Sequence, residues 1–231
     1  MKVVFRADSS GRSGDLHIAR CRALATVLRQ RGAEIRFVCR AHPGHLIEIL
    51  TREAFPVTVL PAPTETSQEG VERVAGVIQA ADAAETIAAL NGEKPDWLIV
   101  DHCDLDADWE GALRPRASNL LAIDDLTNRT HVCDVLLHPN DSPDAEVRYQ
   151  ALAPAACRCL LGPRYSLLHS LGVRRVAEYI DPTPTELLRL RPARPDDAAV
   201  YFDWVNDVEV RRQSLNSDSI SWQTHQEWFH R

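Results

Sequence analysis

Three short apolar stretches in the middle of the chain decide its fold class: WLIVD at Trp97–Asp101, NLLAID at Asn119–Asp124 and CDVLLH at Cys133–His138. Their length suits a buried strand better than a helix. Strands that alternate with helices pair in parallel, because a helical crossover returns the chain to the starting edge of the sheet. The three stretches therefore predict strands of one parallel sheet.

The same alternation extends outward to the N-terminus. Val3–Phe5, Ile35–Cys39 and Val57–Leu60 are typical of further strands, and apolar residues at helical spacing lie between the strands. These residues are Ala19, Ala23, Leu24, Val27 and Leu28 before Gly32, then Leu46, Ile47, Ile49 and Leu50, then Val74, Val77, Ile78, Ala81 and Ile87 before Asn91–Gly92. The first 140 residues thus predict an α/β fold with a doubly wound, Rossmann-like parallel sheet.

Composition excludes several classes of protein. The 231 residues carry 33 acidic and 26 basic side chains, a net charge of −7, which argues against nucleic acid or an anionic membrane as a partner. No apolar run approaches the roughly 18 residues of a membrane span, and the N-terminus turns polar too early for a signal peptide. The six cysteines form no CxxC pair, which argues against a disulfide framework and structural zinc. We expect a cytoplasmic protein with reduced thiols and no metal.

The loop after the first strand, RADSSGRSGDLHIARC at Arg6–Cys21, is the strongest candidate for a functional site. Ligands of such sheets bind beyond the carboxyl ends of the strands, and the start of a helix favours an anion. His17 falls in the first turn of that helix, whose dipole disfavours an imidazolium, so we expect a neutral imidazole able to act as a general base. The alternative is a surface loop with a polar histidine. Four arginines along the helix are expected on its solvated face: Arg20, Arg22, Arg29 and Arg31.

Five segments then indicate a family. FRADSS with G-x-x-H and ARC, followed in order by FVCRAHPGHLI, LIVDH, LLAIDDLTNRTHVCDVLLHPN and LLGPRYSLL, resembles the nucleotide-sugar hydrolases of pseudaminic acid synthesis. These are relatives of the two-domain GT-B glycosyltransferases. The resemblance covers residues 1–170 and implies that they form one half of a GT-B fold. Two residues depart from the family pattern: Leu16 replaces a glycine before the histidine, and Cys103 replaces an aromatic residue.

The resemblance implies that UDP is released from a UDP-2,4-diacetamido-2,4,6-trideoxyhexose by water, without a metal or other cofactor. His17 would be the catalytic base, and Asp8, Gly14, Asp101 and Asp125 would surround the sugar at the strand ends. Asp124-Asp125 could equally be a turn cap. In such enzymes the UDP is held mainly by the second domain, so a second chain or a missing domain would have to complete the UDP site.

The C-terminal part changes character. Residues 171–186 are expected to be a linker. The stretch Leu188–Phe229 then carries a second set of matching positions: Trp204, Asn206, Arg211, Trp222, His225 and Trp228. With them, residues 187–231 resemble the start of a GNAT N-acetyltransferase of the kind that acts on a UDP-4-amino-sugar of the same pathway. By that resemblance Trp204, Asn206 and Arg211 shape the acceptor-sugar site, and acetyl-CoA binds only if the segment is completed elsewhere. Residues Leu187–Ala193 predict a strand, Pro195 opens a helix and Ser221 caps another.

Other functions stay open at this stage. The C-terminal aromatics could be the core of a helical appendage, and the chain could be a non-catalytic fusion that binds a nucleotide sugar or a partner. A dehydrogenase is disfavoured, because no GxGxxG follows the first strand and the second strand runs into Cys39-Arg40 without an acid.

Overall fold

The structure, a computed structural model, describes residues 1–9, 15–62, 71–183, 193–212 and 218–229, without the side chains of 71–78 and 209. The chain divides into two compact units, Met1–Thr183 and Pro184–Arg231. Among the described helices, none is both long enough and apolar enough to cross a membrane.

The first unit is built on seven strands, all paired in parallel, and confirms the predicted doubly wound α/β sheet. The strands are β1 (Lys2–Ala7), β2 (Glu34–Arg40), β3 (Val57–Leu60), β4 (Trp97–Asp101), β5 (Asn119–Ile123), β6 (Val135–His138) and β7 (Arg158–Leu161), in the order β3-β2-β1-β4-β5-β6-β7. The order reverses direction between β1 and β4, which opens a crevice at their carboxyl ends.

Helices connect these strands and cover both faces of the sheet. They are α1 (Leu16–Gln30), α2 (Ile47–Arg52), α3 (Val71–Leu90), α4 (Ala107–Leu113), α5 (Ala145–Leu152) and α6 (Ser170–Ile180). The first three match the predicted helices, and α3 ends where Asn91 adopts a left-handed φ of 52°. Neither the strand β7 nor the helices α4, α5 and α6 were predicted.

Two cores form because successive residues of a strand point to opposite faces. On one face, Phe5 stacks on Phe37 with ring centroids 4.9 Å apart. The apolar side chains of this face pack against those of α1 and α6. On the other face, Val4 and its neighbours pack with Trp109 of α4 and Tyr149 of α5. Burial on both faces explains why the strands are continuous apolar runs.

The predicted linker at 171–186 is wrong over most of its length. Residues Ser170–Ile180 form the helix α6, whose apolar side lies in the core beside α1. The division between units falls at Thr183, so the first unit extends beyond residue 170. Amphipathic spacing of Val173, Val176 and Ile180 gives this helix a face to bury, which a linker would lack.

The second unit contains the helices α7 (Ala198–Val205), α8 (Val208–Arg212) and α9 (Trp222–Phe229). A 3₁₀ turn at Pro195–Asp197 precedes α7, and Ser221 Oγ accepts a hydrogen bond from the backbone N–H of Thr224 at 3.1 Å. The starts of these two helical segments agree with the predictions made for Pro195 and Ser221. Most of the strand predicted at 187–193 lies outside the described residues.

Candidate active site

The centre of the site is a buried carboxylate shared by two basic side chains. Asp101 is the last residue of β4 and is fully buried. Its Oδ1 lies 2.5 Å from Nδ1 of His17, in the first turn of α1. Arg20, one turn further along α1, donates from Nε and Nη2 to the two Asp101 oxygens, each at 2.6 Å. The fold thus brings the predicted base and a predicted acid into direct contact.

The expected neutral imidazole at residue 17 is wrong. Burial lowers the pKa of His17, but hydrogen bonding and charge attraction from Asp101 outweigh burial and raise this pKa to about 10. Burial raises the pKa of Asp101, but Arg20 and His17 outweigh it and hold this pKa at about 2. The full negative charge of Asp101, in direct contact with the ring, affects the pKa of His17 more than the roughly half positive charge at the start of the helix. His17 is therefore an imidazolium in its resting state.

The second ring nitrogen of His17 faces a thiol. Its Nε2 lies 3.6 Å from Sγ of Cys103, an exposed residue two positions after Asp101. Since Nδ1 is held by the carboxylate, Nε2 is the nitrogen that can exchange a proton with a reactant. A histidine oriented by a carboxylate through one nitrogen is the arrangement of a general base.

Arg20 extends the network to the next strand. Its Nη1 donates to Asp125 Oδ1 at 2.9 Å, and Asn140 Nδ2 donates to the same oxygen at 3.1 Å. Asp125 follows β5, so this arginine joins the ends of β4 and β5. The expected solvated face is therefore wrong for Arg20, whose side chain is 3 % exposed. Because the Arg20 guanidinium is paired with two carboxylates, the free-energy cost of burying its charge is lower than for an unpaired arginine.

Asp8 forms a neighbouring cluster just beyond β1. Its carboxylate accepts two hydrogen bonds from Arg6, at 2.5 and 2.9 Å, and one from the backbone N–H of Arg40 at 2.7 Å. The Nε2 atoms of His42 and His102 lie 3.2 and 3.4 Å from Oδ2. Burial raises the pKa of Asp8, but the hydrogen bonds of the two histidines and Arg6 hold it well below its usual range. With five nitrogen partners, Asp8 is suited to position His42 and His102.

Asp82 anchors this cluster from α3. It accepts hydrogen bonds from Arg6 Nη2 at 2.6 Å, Arg40 Nη2 at 2.7 Å and the indole N–H of Trp109 at 2.9 Å. Arg6 is wholly buried and bridges Asp8 and Asp82. A charged residue inside a buried strand requires such partners. Arg6 in VVFRA was the sequence signal that could have revealed this network.

The predicted site residues are thus only partly brought together. His17, Asp101 and Asp125 share one network through Arg20, Asp8 belongs to the adjoining cluster, and Gly14 lies outside the described residues. Sequence reasoning did not assign roles to the other members of the two networks: Arg6, Arg20, Arg40, His42, Asp82, His102 and Asn140. The histidines follow β2 and β4 closely, which was the available signal for them.

The residues predicted for an acceptor-sugar site belong to the second unit. Asn206 pairs with Ile220 through two hydrogen bonds, at 2.7 and 3.0 Å, and Arg211 Nη1 donates to the carbonyl of Asp218 at 3.0 Å. Trp204 is 60 % exposed. Two of the three side chains therefore hold the chain before α9. The acetyltransferase role of residues 187–231 stays a prediction.

Comparison with known proteins confirms the resemblance seen in the motifs. Over 169 residues, 73% of this chain, the sequence is 30% identical to the UDP-2,4-diacetamido-2,4,6-trideoxy-β-L-altropyranose hydrolase of Campylobacter jejuni subsp. jejuni serotype O:2. The aligned part is 52% of that protein, so the chain spans about half the length of this curated relative. No family model matches the chain.

A crystal structure of MurG from Acinetobacter baumannii gives a TM-score of 0.44 at 13% identity, covering 69% of this chain and 44% of that chain.

Proposed function

We propose that the first unit is the catalytic half of a hydrolase that releases UDP from a UDP-2,4-diacetamido-2,4,6-trideoxyhexose. The observation that carries this proposal is the contact between His17 and Asp101 at the crevice between β1 and β4. The name of the Campylobacter relative supplies the substrate class. The site offers what hydrolysis needs: an oriented base beside the place where sheets of this kind bind nucleotides.

In the proposed reaction, water attacks the anomeric carbon of the sugar. The reactive form is the fraction of His17 that has lost its Nε2 proton, because the resting imidazolium has no free lone pair. Nε2 of this neutral form accepts a proton from the water as the new C–O bond forms, and the bond from the anomeric carbon to the diphosphate breaks, with UDP leaving as the anion. Asp101 holds the Nδ1–H and stabilises the imidazolium that results. A positioned base of this kind contributes about 10²–10⁴-fold to the rate.

The UDP part of the substrate needs binding groups beyond these two networks. Arg6, Arg20 and Arg40, the arginines of the described site, are all paired with carboxylates. A diphosphate carries negative charge and would have to displace those acids to reach them. This supports the expectation that a second domain or a second chain holds the UDP.

The test is release of UDP from the UDP-sugar by the full chain and by variants. We expect His17→Ala to lower kcat by about 10²-fold or more if the base is lost. The matched control is His169→Ala, because His169 is exposed at the start of α6. Turnover that survives His17→Ala would rule out the mechanism, and binding of the UDP-sugar without any turnover would favour a non-catalytic role.

A further inference from the structure

The thiol beside His17 is a reactive group that the proposed hydrolysis does not use. Cys103 lies two positions after the end of β4 and is exposed to solvent. Its Sγ lies 3.6 Å from Nε2 of His17. Among the residues that the structure describes, this sulfur is the one polar contact of Nε2. A nucleophilic atom is therefore both open to solvent and in contact with a titratable ring.

Asp101, His17 and Cys103 form a continuous row of carboxylate, imidazole and thiol. Asp101 Oδ1 lies 2.5 Å from Nδ1 of His17, so one ring nitrogen is held and the other is presented to the sulfur. The His17 side chain is 9 % exposed and that of Asp101 is wholly buried, so solvent reaches this row at its sulfur end. An acid, an oriented imidazole and a nucleophile in this order are the arrangement by which enzymes activate a thiol.

Two cationic groups lie beside Cys103. Burial lowers the pKa of His17, but Asp101 outweighs burial and raises this pKa to about 10, so Nε2 carries a proton near neutral pH and donates it toward Sγ. Arg129 Nη1 donates a hydrogen bond to the carbonyl of Cys103. The next residue, Asp104, is exposed, so water screens its negative charge. A partly exposed thiol beside an imidazolium and a guanidinium is the environment in which reactive cysteines are found.

The other five cysteines are less accessible than Cys103. Three are buried and two are partly exposed: Cys21, Cys39 and Cys133, then Cys157 and Cys159. A hydrogen bond with Cys133, together with burial, raises the pKa of Cys157 to about 12. The thiolate of Cys157 is therefore disfavoured at neutral pH although solvent reaches this residue. Cys157 is thus a reference thiol within the same chain.

We propose that Cys103 is a site of reversible oxidation by hydroperoxides, with His17 as the group that assists the reaction. The thiol gives its proton to solvent and the sulfur attacks one oxygen of the hydroperoxide, so that an S–O bond forms and the O–O bond breaks. His17 donates its Nε2 proton to the departing oxygen, which leaves as water or an alcohol, and then recovers a proton from solvent. The sulfur is thereby oxidised by two electrons to a sulfenic acid, and small thiols reduce it again through a mixed disulfide.

Oxidation at this place would affect the proposed hydrolysis. The sulfenic acid would hold an oxygen against Nε2 of His17, where the reacting water has to lie. We therefore expect hydrogen peroxide to stop UDP release and a thiol reductant to restore it. This consequence rests on the proposed function, whereas the oxidation of Cys103 does not.

The test treats the full chain at pH 7 with limiting hydrogen peroxide, traps sulfenic acid with dimedone and locates the adduct by peptide mass spectrometry. We expect Cys103 to react at least about tenfold faster than Cys157. Cys103 should also react faster in the folded chain than in the chain unfolded by urea. Exposure alone cannot produce that order, because the unfolded chain exposes the thiol fully. An equal or slower reaction of Cys103 in the folded chain would overturn the proposal.

A variant isolates the contribution of the imidazolium. We expect His17→Gln to lower the oxidation rate of Cys103 about tenfold in the folded chain and to leave it unchanged in urea. The matched control is His169→Gln, because His169 is an exposed histidine at the start of α6. An unchanged rate in folded His17→Gln would reject the role of His17 and with it the proposal. Oxidation of Cys103 as expected, in a chain that releases no UDP before treatment, would instead refute the hydrolase and support the modification site.

Discussion

Arg20 and Asp101 form a two-point ion pair inside the protein, between the first helix and the strand β4. Both are almost completely excluded from solvent. The pair keeps Asp101 ionised, and an ionised Asp101 is what holds His17 in one orientation. In the proposed hydrolase, Arg20 would therefore be a positioning residue that acts on His17 through a shared acid.

Replacing Asp101 with asparagine removes the negative charge beside His17 and keeps a side chain of similar size. We expect Asp101→Asn to lower kcat for UDP release by about 10²–10⁴-fold when the two proteins are compared near pH 10, where the wild-type imidazole is also partly neutral. The amide can present the wrong group to Nδ1 and no longer stabilises the imidazolium that forms. The pKa of His17, followed by NMR, should fall toward its ordinary value of about 6.5. An unchanged His17 pKa in this variant would contradict the assigned contact.

The rate of UDP release should depend on pH with a defined sign. A base must be neutral to accept a proton, and the pKa of His17 is raised to about 10. We expect kcat/KM to increase with pH across the neutral range, by about tenfold per unit well below that pKa. A rate that decreases over the same range would show that the protonated imidazole is the active form. Initial rates from pH 6 upward, checked for stability of the protein, provide the measurement.

Folding stability should depend on the same histidine in the opposite sense. The pKa of His17 is higher in the folded chain than in the unfolded chain, where it is about 6.5. Its protonation therefore stabilises the fold fully below about pH 6.5, and this contribution is lost as the pH rises through about 10. Urea unfolding of wild type and His17→Gln should give a stability difference that shrinks from pH 7 to pH 10. A constant difference would contradict the raised pKa.

Arg6 should be among the most sensitive positions of the first unit. Its removal leaves Asp8 and Asp82 buried without their shared partner. We expect Arg6→Met to destabilise the protein by about 3–5 kcal/mol, the cost of breaking one side of a buried ion pair. Arg22→Ala is the control, because Arg22 makes a surface pair with Glu53 and should change stability by less than about 1 kcal/mol. Equal effects of the two changes would contradict the buried network.

Cys103 should be modified before the buried thiols. It is exposed, whereas Cys21, Cys39 and Cys133 are buried. Limited treatment with iodoacetamide should therefore alkylate Cys103 first, as read by peptide mass spectrometry. Because its sulfur lies 3.6 Å from His17 Nε2, the added group should also block UDP release. Full activity after complete alkylation of Cys103 would show that the reacting water does not occupy this place.

The sequence alone determined the architecture of the first unit. Continuous apolar runs such as Trp97–Asp101 can only be buried on both faces, and the helical spacing between runs fixes parallel pairing. The position of His17 after β1 and the acids at the strand ends could also be predicted, because parallel strands present their carboxyl ends at one edge. The seventh strand was missed, since RCLL is too short and too weakly patterned to stand out.

Only the tertiary structure decided the protonation of His17 and the composition of both clusters. A pKa depends on the charges within a few ångströms, and Asp101 lies 84 positions away in the chain. For the same reason Arg20 looked like a surface arginine until β4 and β5 placed two acids beside it. Cys133 and Cys157 are likewise separated along the sequence and meet only because β6 and β7 are neighbours in the sheet. Local patterns encode the strands and helices, whereas the pKa values and the contacts of buried polar side chains depend on residues that are distant in the sequence.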